Sequence, residues 1–129
     1  MHNAAMTSIR YPHTKNIFDE FKKIEWRKRP LPRGKHYVYE CVCGGGCGMV
    51  IGEITISDIH RYNRLIDITC ADLDAGCVDL PFLRQYAGKK PLYAHVITSV
   101  IRYDKPIELS RFGLQRPPQS WRWVKEITW

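Results

Sequence analysis

The sequence lacks any apolar run long enough to cross a membrane and any segment of the kind that directs export. A membrane helix needs about 20 predominantly apolar residues, whereas the longest candidate here is the short run MVIGEITI at residues 49–56. The N-terminal stretch MHNAAMTSIRYPH has neither the apolar core nor the cleavage context of a signal peptide. We therefore expect a cytoplasmic protein that does not enter a membrane.

Cysteine chemistry is also limited. The five cysteines are odd in number and the C-x-x-C spacing of redox pairs is absent, which argues against a disulfide framework and against a redox pair. Cys41, Cys43 and Cys47 are close enough in sequence to share a metal ion. Structural zinc takes four ligands, however, and the fourth would have to come from a distant part of the chain. We expect small buried cysteines beside a flexible loop and no cofactor, with a metal-binding cysteine loop as the alternative.

Internal repeats, low-complexity tracts and long linkers are missing as well. The 129 residues match the common size of one domain with one hydrophobic core. Hydrophobic residues make up 44% and charged residues 26% of the chain, as in ordinary globular proteins. We expect a single domain over residues 1–129, and a monomer.

Alternating apolar and polar residues predict five or six short strands, which makes the fold class α+β with a closed or nearly closed sheet. The predicted strands lie at 7–11, 23–29, 37–39, 49–57, 92–103 and 120–127. Residues 92–103 are apolar on both faces of the pleat, which is typical of a central strand. Residues 58–76 are predicted to be irregular, and residues 104–106 to turn the chain.

Two helices are predicted between these strands. Residues 13–21 form the first, in which Ile17 and Phe21 are spaced four apart and face inward together. Asp79 is placed to cap the second, and Gly88 lies just past its end.

Positive charge is concentrated in one segment. The formal net charge is +7, and residues 22–35 contain only one acidic residue, Glu25. A field of this kind attracts polyanions, and phosphates are the obvious partners because their neutralisation releases counterions. The cations of this segment are Lys22, Lys23, Arg27, Lys28, Arg29, Arg33 and Lys35.

Within this segment, the alternation in KKIEWRKR at residues 22–29 predicts a strand with one ionic face. Successive side chains of a strand point to opposite faces, so Lys23, Glu25, Arg27 and Arg29 share one face while Trp26 anchors the other in the core. Arginine offers a planar fork of donors that fits phosphate. A carboxylate between the cations can orient them or accept a hydrogen bond from the exocyclic amine of a base.

The same segment resembles the signature of ASCH domains, Gly-x-Lys-Thr-x-Glu-x-Arg, a family of the PUA-like superfamily. Lys22, Glu25 and Arg27 match its lysine, glutamate and arginine. Further similar segments lie at 37–40, 50–53, 89–93, 103–106 and 116–121, so that the resemblance spans about residues 8–127. It implies a PUA-like pseudo-barrel of five to six mostly antiparallel strands with two or three short helices.

The resemblance also implies RNA binding, in a cleft between the first helix and the barrel lined by the signature residues. Some small members of the family are amidohydrolases that deacylate N4-acetylcytidine with a lysine, a threonine nucleophile and a glutamate. Here Glu20 replaces the signature glycine, Lys23 replaces the signature threonine, and Glu25 stands where the nucleophilic threonine is found. Because nothing in the sequence marks Glu25 as an activated nucleophile, these departures favour binding over catalysis.

We therefore predict a binding module for RNA or a (modified) nucleoside or nucleotide. The alternative is a small amidohydrolase acting on N4-acylated cytidine, with Lys22 and Glu25 as its catalytic residues. Gln119 and Ser120 are candidates for polar contacts to a base, whereas His95 lies in the most apolar strand and is predicted to be a core residue. The predicted binding residues are Lys22, Lys23, Glu25, Arg27, Lys28, Arg29, Gln119 and Ser120.

Overall fold

A computed structural model describes residues 4–128, which form six strands, three α-helices and two short 3-10 turns. The 3-10 turns are Leu65–Asp67 and Leu109–Phe112. The other elements are, in chain order, β1 (Ala4–Arg10), α1 (His13–Phe18), β2 (Ile24–Arg27), β3 (Gly34–Cys41), β4 (Val50–Tyr62), α2 (Cys70–Ala75), α3 (Leu80–Ala87), β5 (Leu92–Ile107) and β6 (Trp121–Val124).

The strands form a single sheet in the order β2-β5-β4-β3-β1-β6. Strand β1 runs parallel to β3, and the other neighbouring pairs are antiparallel. The sheet curls into a half-barrel against the short helices. This architecture confirms the predicted α+β class and the predicted PUA-like pseudo-barrel.

Three apolar clusters hold the sheet and the helices together. The first joins α1 to β1, β3 and β4 through residues such as Ile17, Ile9 and Ile54. The second is built around Met6, Tyr37 and Val50, and the third packs Trp26 of β2 and Leu92 of β5 against Leu83 of α3. The third cluster positions the cleft described below, because it holds α3 beside β2.

The first helix is shorter than predicted, and this changes which phenylalanine is buried. Helix α1 ends at Phe18, which is buried, whereas Phe21 is 71% exposed. The prediction that Phe21 faces inward is therefore wrong. Glu20 adopts a φ of 65°, so the chain leaves the helix before Phe21 can follow Ile17 on its inner face.

The predicted irregular stretch and the predicted turn are also wrong. Strand β4 continues to Tyr62 because residues 58–62 pair with 92–96 of β5, and α2 follows with Thr69 as its N-cap. Residues 104–106 stay within β5, which extends to Ile107 opposite Val50. Only the first part of β5 lies between β2 and β4, so Ile101 in its second part is exposed.

The second predicted helix is confirmed together with its caps. The Asp79 side chain accepts a hydrogen bond from the backbone N–H of Phe82, and Gly88 ends α3 with a φ of 60°. Within residues 4–128 no helix has the length and hydropathy needed to span a bilayer.

Candidate ligand-binding cleft

A cleft of about 890 Å³ opens between β2, α3 and the chain that follows β1. Its volume lies within the range of about 300–1,000 Å³ that is typical of small-molecule sites. The wall formed by the first half of the chain is lined by Ser8, Ile9, Arg10, Tyr11, His13, Lys22, Glu25, Trp26, Arg27, Cys41 and Cys43. The wall formed by the second half is lined by Val78, Phe82, Gln85, Tyr86 and Gln119.

A buried ion pair lies in the cleft. Glu25 and Arg27 are two apart on β2 and therefore share a face. Nε and Nη2 of Arg27 lie 3.0 and 2.9 Å from Oε2 of Glu25, whose residue is only 7% exposed. Burial by itself would raise the pKa of the Glu25 carboxyl, but the charges of Arg27 and Lys22 outweigh it and hold the pKa below its usual range. Glu25 is thus an ionised acceptor inside the cleft.

Lys22 lies just before β2 and is almost fully buried, at 2% exposure. Its Nζ donates a hydrogen bond of 2.5 Å to the carbonyl of Gly76, at the end of α2, and lies 3.9 Å from Oε1 of Glu25. Burial lowers the pKa of the Lys22 amine, and the carboxylate of Glu25 opposes that shift. The cleft therefore contains a buried amine whose positive charge is stabilised by the Gly76 carbonyl and the Glu25 carboxylate.

Arg27 also connects β2 to two other parts of the chain. Its Nη2 donates to the backbone carbonyl of Ser8 at 2.9 Å, and its Nη1 is 3.4 Å from Oγ of Ser120. Ser8 in turn donates its backbone N–H to the carbonyl of Ser120 and its Oγ to the carbonyl of Pro118. Ser120 is therefore placed to orient Arg27, while Gln119 lines the cleft itself.

Aromatic side chains form much of the rest of the lining. Trp26 lies on β2 and is buried, and Tyr11 lies directly after the end of β1. Phe82 and Tyr86 come from α3 and were not among the predicted site residues. The four-residue spacing of these two residues was visible in the sequence, but only the packing of α3 beside β2 brings them to the signature residues.

His13 was also missed as a lining residue. Burial, followed by the charge of Lys22, lowers the pKa of its imidazole. His95, by contrast, is the core residue that was predicted: it is buried, its Nε2 accepts from the Leu31 N–H at 2.8 Å, and its Nδ1 is 2.9 Å from the carbonyl of Glu25.

The other cations of the basic segment lie in different surroundings. Lys23, Lys28 and Arg29 are exposed and do not line the cleft, although Nζ of Lys28 is 4.8 Å from the ring centroid of Tyr86. Arg33 pairs with Asp58. Lys35 pairs with Glu53 and Glu126. Partial burial lowers the pKa of the Lys35 amine, but the hydrogen bonds to these two carboxylates outweigh it and bring the pKa well above its usual value.

Two residues of the cysteine loop, Cys41 and Cys43, line the cleft. Cys41 is half-buried, Cys43 and Cys47 are exposed, and all three are free thiols, so the prediction of buried cysteines is wrong for the last two. The glycines at 44, 45 and 48 of this loop adopt positive φ angles, a conformation that glycine reaches at little cost. Within the described residues 4–128, no group of three or more His, Cys, Asp or Glu side chains is arranged to hold a metal ion.

The proteins found to be similar to this chain are solved structures. No family model matches the sequence, and no curated protein matches it. The crystal structure of ASCH from Zymomonas mobilis superposes with a TM-score of 0.78 at 21% identity, over 95% of this chain and 88% of that one. A serine-to-alanine variant of that protein gives 0.79 at 20% identity, over 97% and 90% of the two chains.

A more distant neighbour is a protein of the DUF984 family from Enterococcus faecalis V583, with a TM-score of 0.51 at 9% identity over 72% of each chain. The Zymomonas mobilis structures match nearly the whole of both chains. The protein has the fold of an ASCH domain.

Proposed function

We propose that this protein binds RNA, or a modified nucleoside or nucleotide, in the cleft beside β2. The observation that carries the proposal is the buried Glu25–Arg27 pair, which presents an ionised carboxylate and a guanidinium side by side within a cleft lined by aromatic rings. Nucleobases carry exocyclic amines, ring acceptors and a flat apolar face. The carboxylate of Glu25 can accept from the exocyclic amine, the guanidinium of Arg27 can donate to a ring acceptor, and the aromatic rings can stack on the flat face.

The hydrogen-bonding capacity of the pair supports this match. Glu25 receives both contacts from Arg27 at Oε2, and its Oε1 has Lys22 at 3.9 Å, which is longer than a hydrogen bond. Oε1 is therefore the oxygen to accept from a base amine. Nη1 of Arg27 has only a long contact, to Ser120, and is the donor for a base carbonyl or a phosphate.

The charge around the cleft supports a phosphate-bearing ligand. Within residues 4–128, neither Lys23, Lys28 nor Arg29 has a carboxylate at ion-pair distance, although Arg33 and Lys35 do. Unpaired cations attract phosphates and release counterions on binding, whereas paired ones contribute little.

Mapping of bound ligand by NMR tests the proposal. The four ribonucleoside monophosphates and a short RNA are titrated into ¹⁵N-labelled protein. The largest shift changes are expected in residues 22–27, in 82–86 and at Gln119, and the affinity should fall as salt is added. Changes confined to the open groove that Pro118, Trp121, Arg122 and Trp123 line beside β6 would contradict the proposal. An affinity for RNA that does not respond to salt would contradict it as well.

A matched pair of glutamine variants sharpens the test. Gln119→Ala removes an exposed amide that lines the cleft, and Gln115→Ala removes an exposed amide that does not. We expect the first to weaken binding several-fold and the second to leave it unchanged, with equal thermal stability for both. Equal binding by the two variants would remove Gln119 from the site.

An amidohydrolase acting on N4-acylated cytidine is the second candidate, and the burial of Lys22 favours it. A buried amine with a lowered pKa beside a carboxylate is a common arrangement for acid–base or covalent catalysis. Incubation with N4-acetylcytidine across a range of pH tests it. Release of cytidine and acetate, abolished in Lys22→Met, would establish the activity. Absence of release by the folded wild-type protein would exclude it.

A further inference from the structure

The rim of the cleft formed by α3 has an aromatic side chain with no evident structural role. Phe82 is 46% exposed, although its ring lines the cleft. It lies parallel to the ring of Tyr86, with an interplanar angle of 7° and 6.2 Å between the ring centroids. The two rings thus form an offset stack on one side of α3, with Tyr86 the more buried of the two.

A free cation accompanies this stack. Nζ of Lys28 lies 4.8 Å from the ring centroid of Tyr86, and the Lys28 side chain is exposed. Within the part of the chain that the structure describes, no carboxylate lies at ion-pair distance from this amine. An exposed aromatic face beside an unpaired lysine matches a nucleotide, in which a flat base and a phosphate are adjacent.

We infer that Phe82, Tyr86 and Lys28 form a second nucleotide subsite next to the cleft. The base of one nucleotide enters the cleft, the base of its neighbour stacks on Phe82, and the phosphate between them contacts Lys28. The ligand is therefore single-stranded RNA of at least two nucleotides, rather than a free nucleoside. This inference rests on the proposed function, because it assigns the size and form of the ligand of the same site.

Single-strandedness follows from the geometry of stacking. A base within a duplex is already stacked on both faces and is not available to an exposed protein ring. An unpaired base can leave its neighbours and stack on Phe82, and base–aromatic stacking of this kind tolerates any base. The charge of the unpaired lysine favours an anionic chain over an apolar peptide.

Calorimetric titration of the protein tests the inference with three kinds of probe. These are the four ribonucleoside monophosphates, a single-stranded ribohexamer of mixed sequence, and a blunt RNA duplex containing that hexamer. We expect the hexamer to bind about tenfold more tightly than the best monophosphate, the gain usual for one stacked base. The duplex should bind more weakly than the hexamer at the same salt concentration.

Two pairs of variants test which residues provide the extra affinity for the hexamer. Phe82→Ala should reduce hexamer affinity about tenfold and monophosphate affinity by a clearly smaller factor, because only the hexamer has a second base to stack on this ring. Phe21→Ala, which removes an exposed ring outside the cleft, should change neither. Lys28→Ala should weaken hexamer binding and reduce its salt dependence, and Lys105→Ala should not.

The possible results separate this inference from the proposed function. Equal affinity of hexamer and monophosphate, or an equal loss for both ligands in Phe82→Ala, would overturn the second subsite while leaving the cleft as a nucleotide site. Failure of the wild-type protein to bind any of the three probes would overturn both.

Discussion

The indole Nε1 of Trp26 faces Gly76 so closely that a Cβ at this glycine would lie 2.0 Å from it. Gly76 ends α2 in a right-handed conformation that any residue adopts, so the requirement for glycine here is steric. The carbonyl of the same residue accepts the hydrogen bond from Lys22. One short turn therefore contacts two residues that line the cleft.

Gly76→Ala should destabilise the protein by about 1–3 kcal/mol, the usual cost of overpacking a close contact, and should alter tryptophan fluorescence because the indole must move. Urea unfolding followed by fluorescence measures both effects. Gly113→Ala is the control: it sits in a left-handed turn with open space around it, so it should lose about 1 kcal/mol without affecting the fluorescence of the folded state. Identical behaviour of the two variants would contradict the contact.

Trp26 anchors β2 in the third apolar cluster, where it packs with Tyr62 and Leu83. Trp26→Ala should cost about 3–5 kcal/mol, as expected for removal of a buried aromatic side chain. Trp123 is 42% exposed on β6, so Trp123→Ala should cost about 1 kcal/mol or less. Thermal and urea unfolding of both variants provide the comparison, and a larger loss for Trp123→Ala would show that β2 is not anchored in this way.

Glu25→Gln should reduce stability at neutral pH by about 3 kcal/mol, because it removes the charge that compensates the partly buried Arg27. The pKa of Glu25 is lowered in the folded state, so the unfolded chain binds its proton first as the pH falls. The stability that the carboxylate contributes is full above about pH 4.3, the usual pKa of a glutamate, and is lost as the pH falls from there through the lower folded-state pKa.

Urea unfolding midpoints measured between pH 7 and pH 3 test whether this contribution to stability is lost as the pH falls. The difference between wild type and Glu25→Gln should shrink towards pH 3, whereas the exposed Glu108→Gln should differ little from wild type at every pH. A difference for Glu25→Gln that is constant with pH would show that the folded-state pKa is not lowered.

His60, which lies outside the cleft, should make the folding stability depend on pH in the opposite direction. Its Nδ1 lies 2.9 Å from Asp72, which also accepts from the Tyr62 hydroxyl, and its Nε2 lies 3.4 Å from Asp58, which pairs with Arg33. The hydrogen bond to Asp72 raises the pKa of His60. Its contribution to stability is therefore full below about pH 6.5 and is lost as the pH rises through the folded-state pKa.

His60→Gln should accordingly lose more stability at pH 6 than at pH 9, measured by urea unfolding in matched buffers. In an Asp72→Asn background the same substitution should show a much smaller dependence on pH, because the main partner of the charged imidazole has been removed. If the two backgrounds behave alike, the pH dependence comes from another group.

Several local features were predictable because they depend on neighbours in the sequence. The alternation around Trp26 predicted its buried position and the shared face of Glu25 and Arg27, and the spacing of Asp79 and Gly88 predicted the caps of α3. Phe21 shows the limit of such reasoning. Its spacing from Ile17 was correct for a helix, but the left-handed conformation of Glu20 ends the helix first.

By itself, the sequence determined the α+β class, the strand with one ionic and one apolar face, and the position of the basic segment. Only the tertiary structure decided that Lys22 is buried against the carbonyl of Gly76 and that α3 supplies an aromatic wall to the cleft. It also decided that, among residues 4–128, Lys35 has carboxylates at ion-pair distance and Lys28 has none. The physical reason is distance along the chain. Alternation and capping act within a few residues, whereas the contacts of Lys22 with Gly76, of Arg27 with Ser120 and of Lys35 with Glu126 join segments more than 50 residues apart.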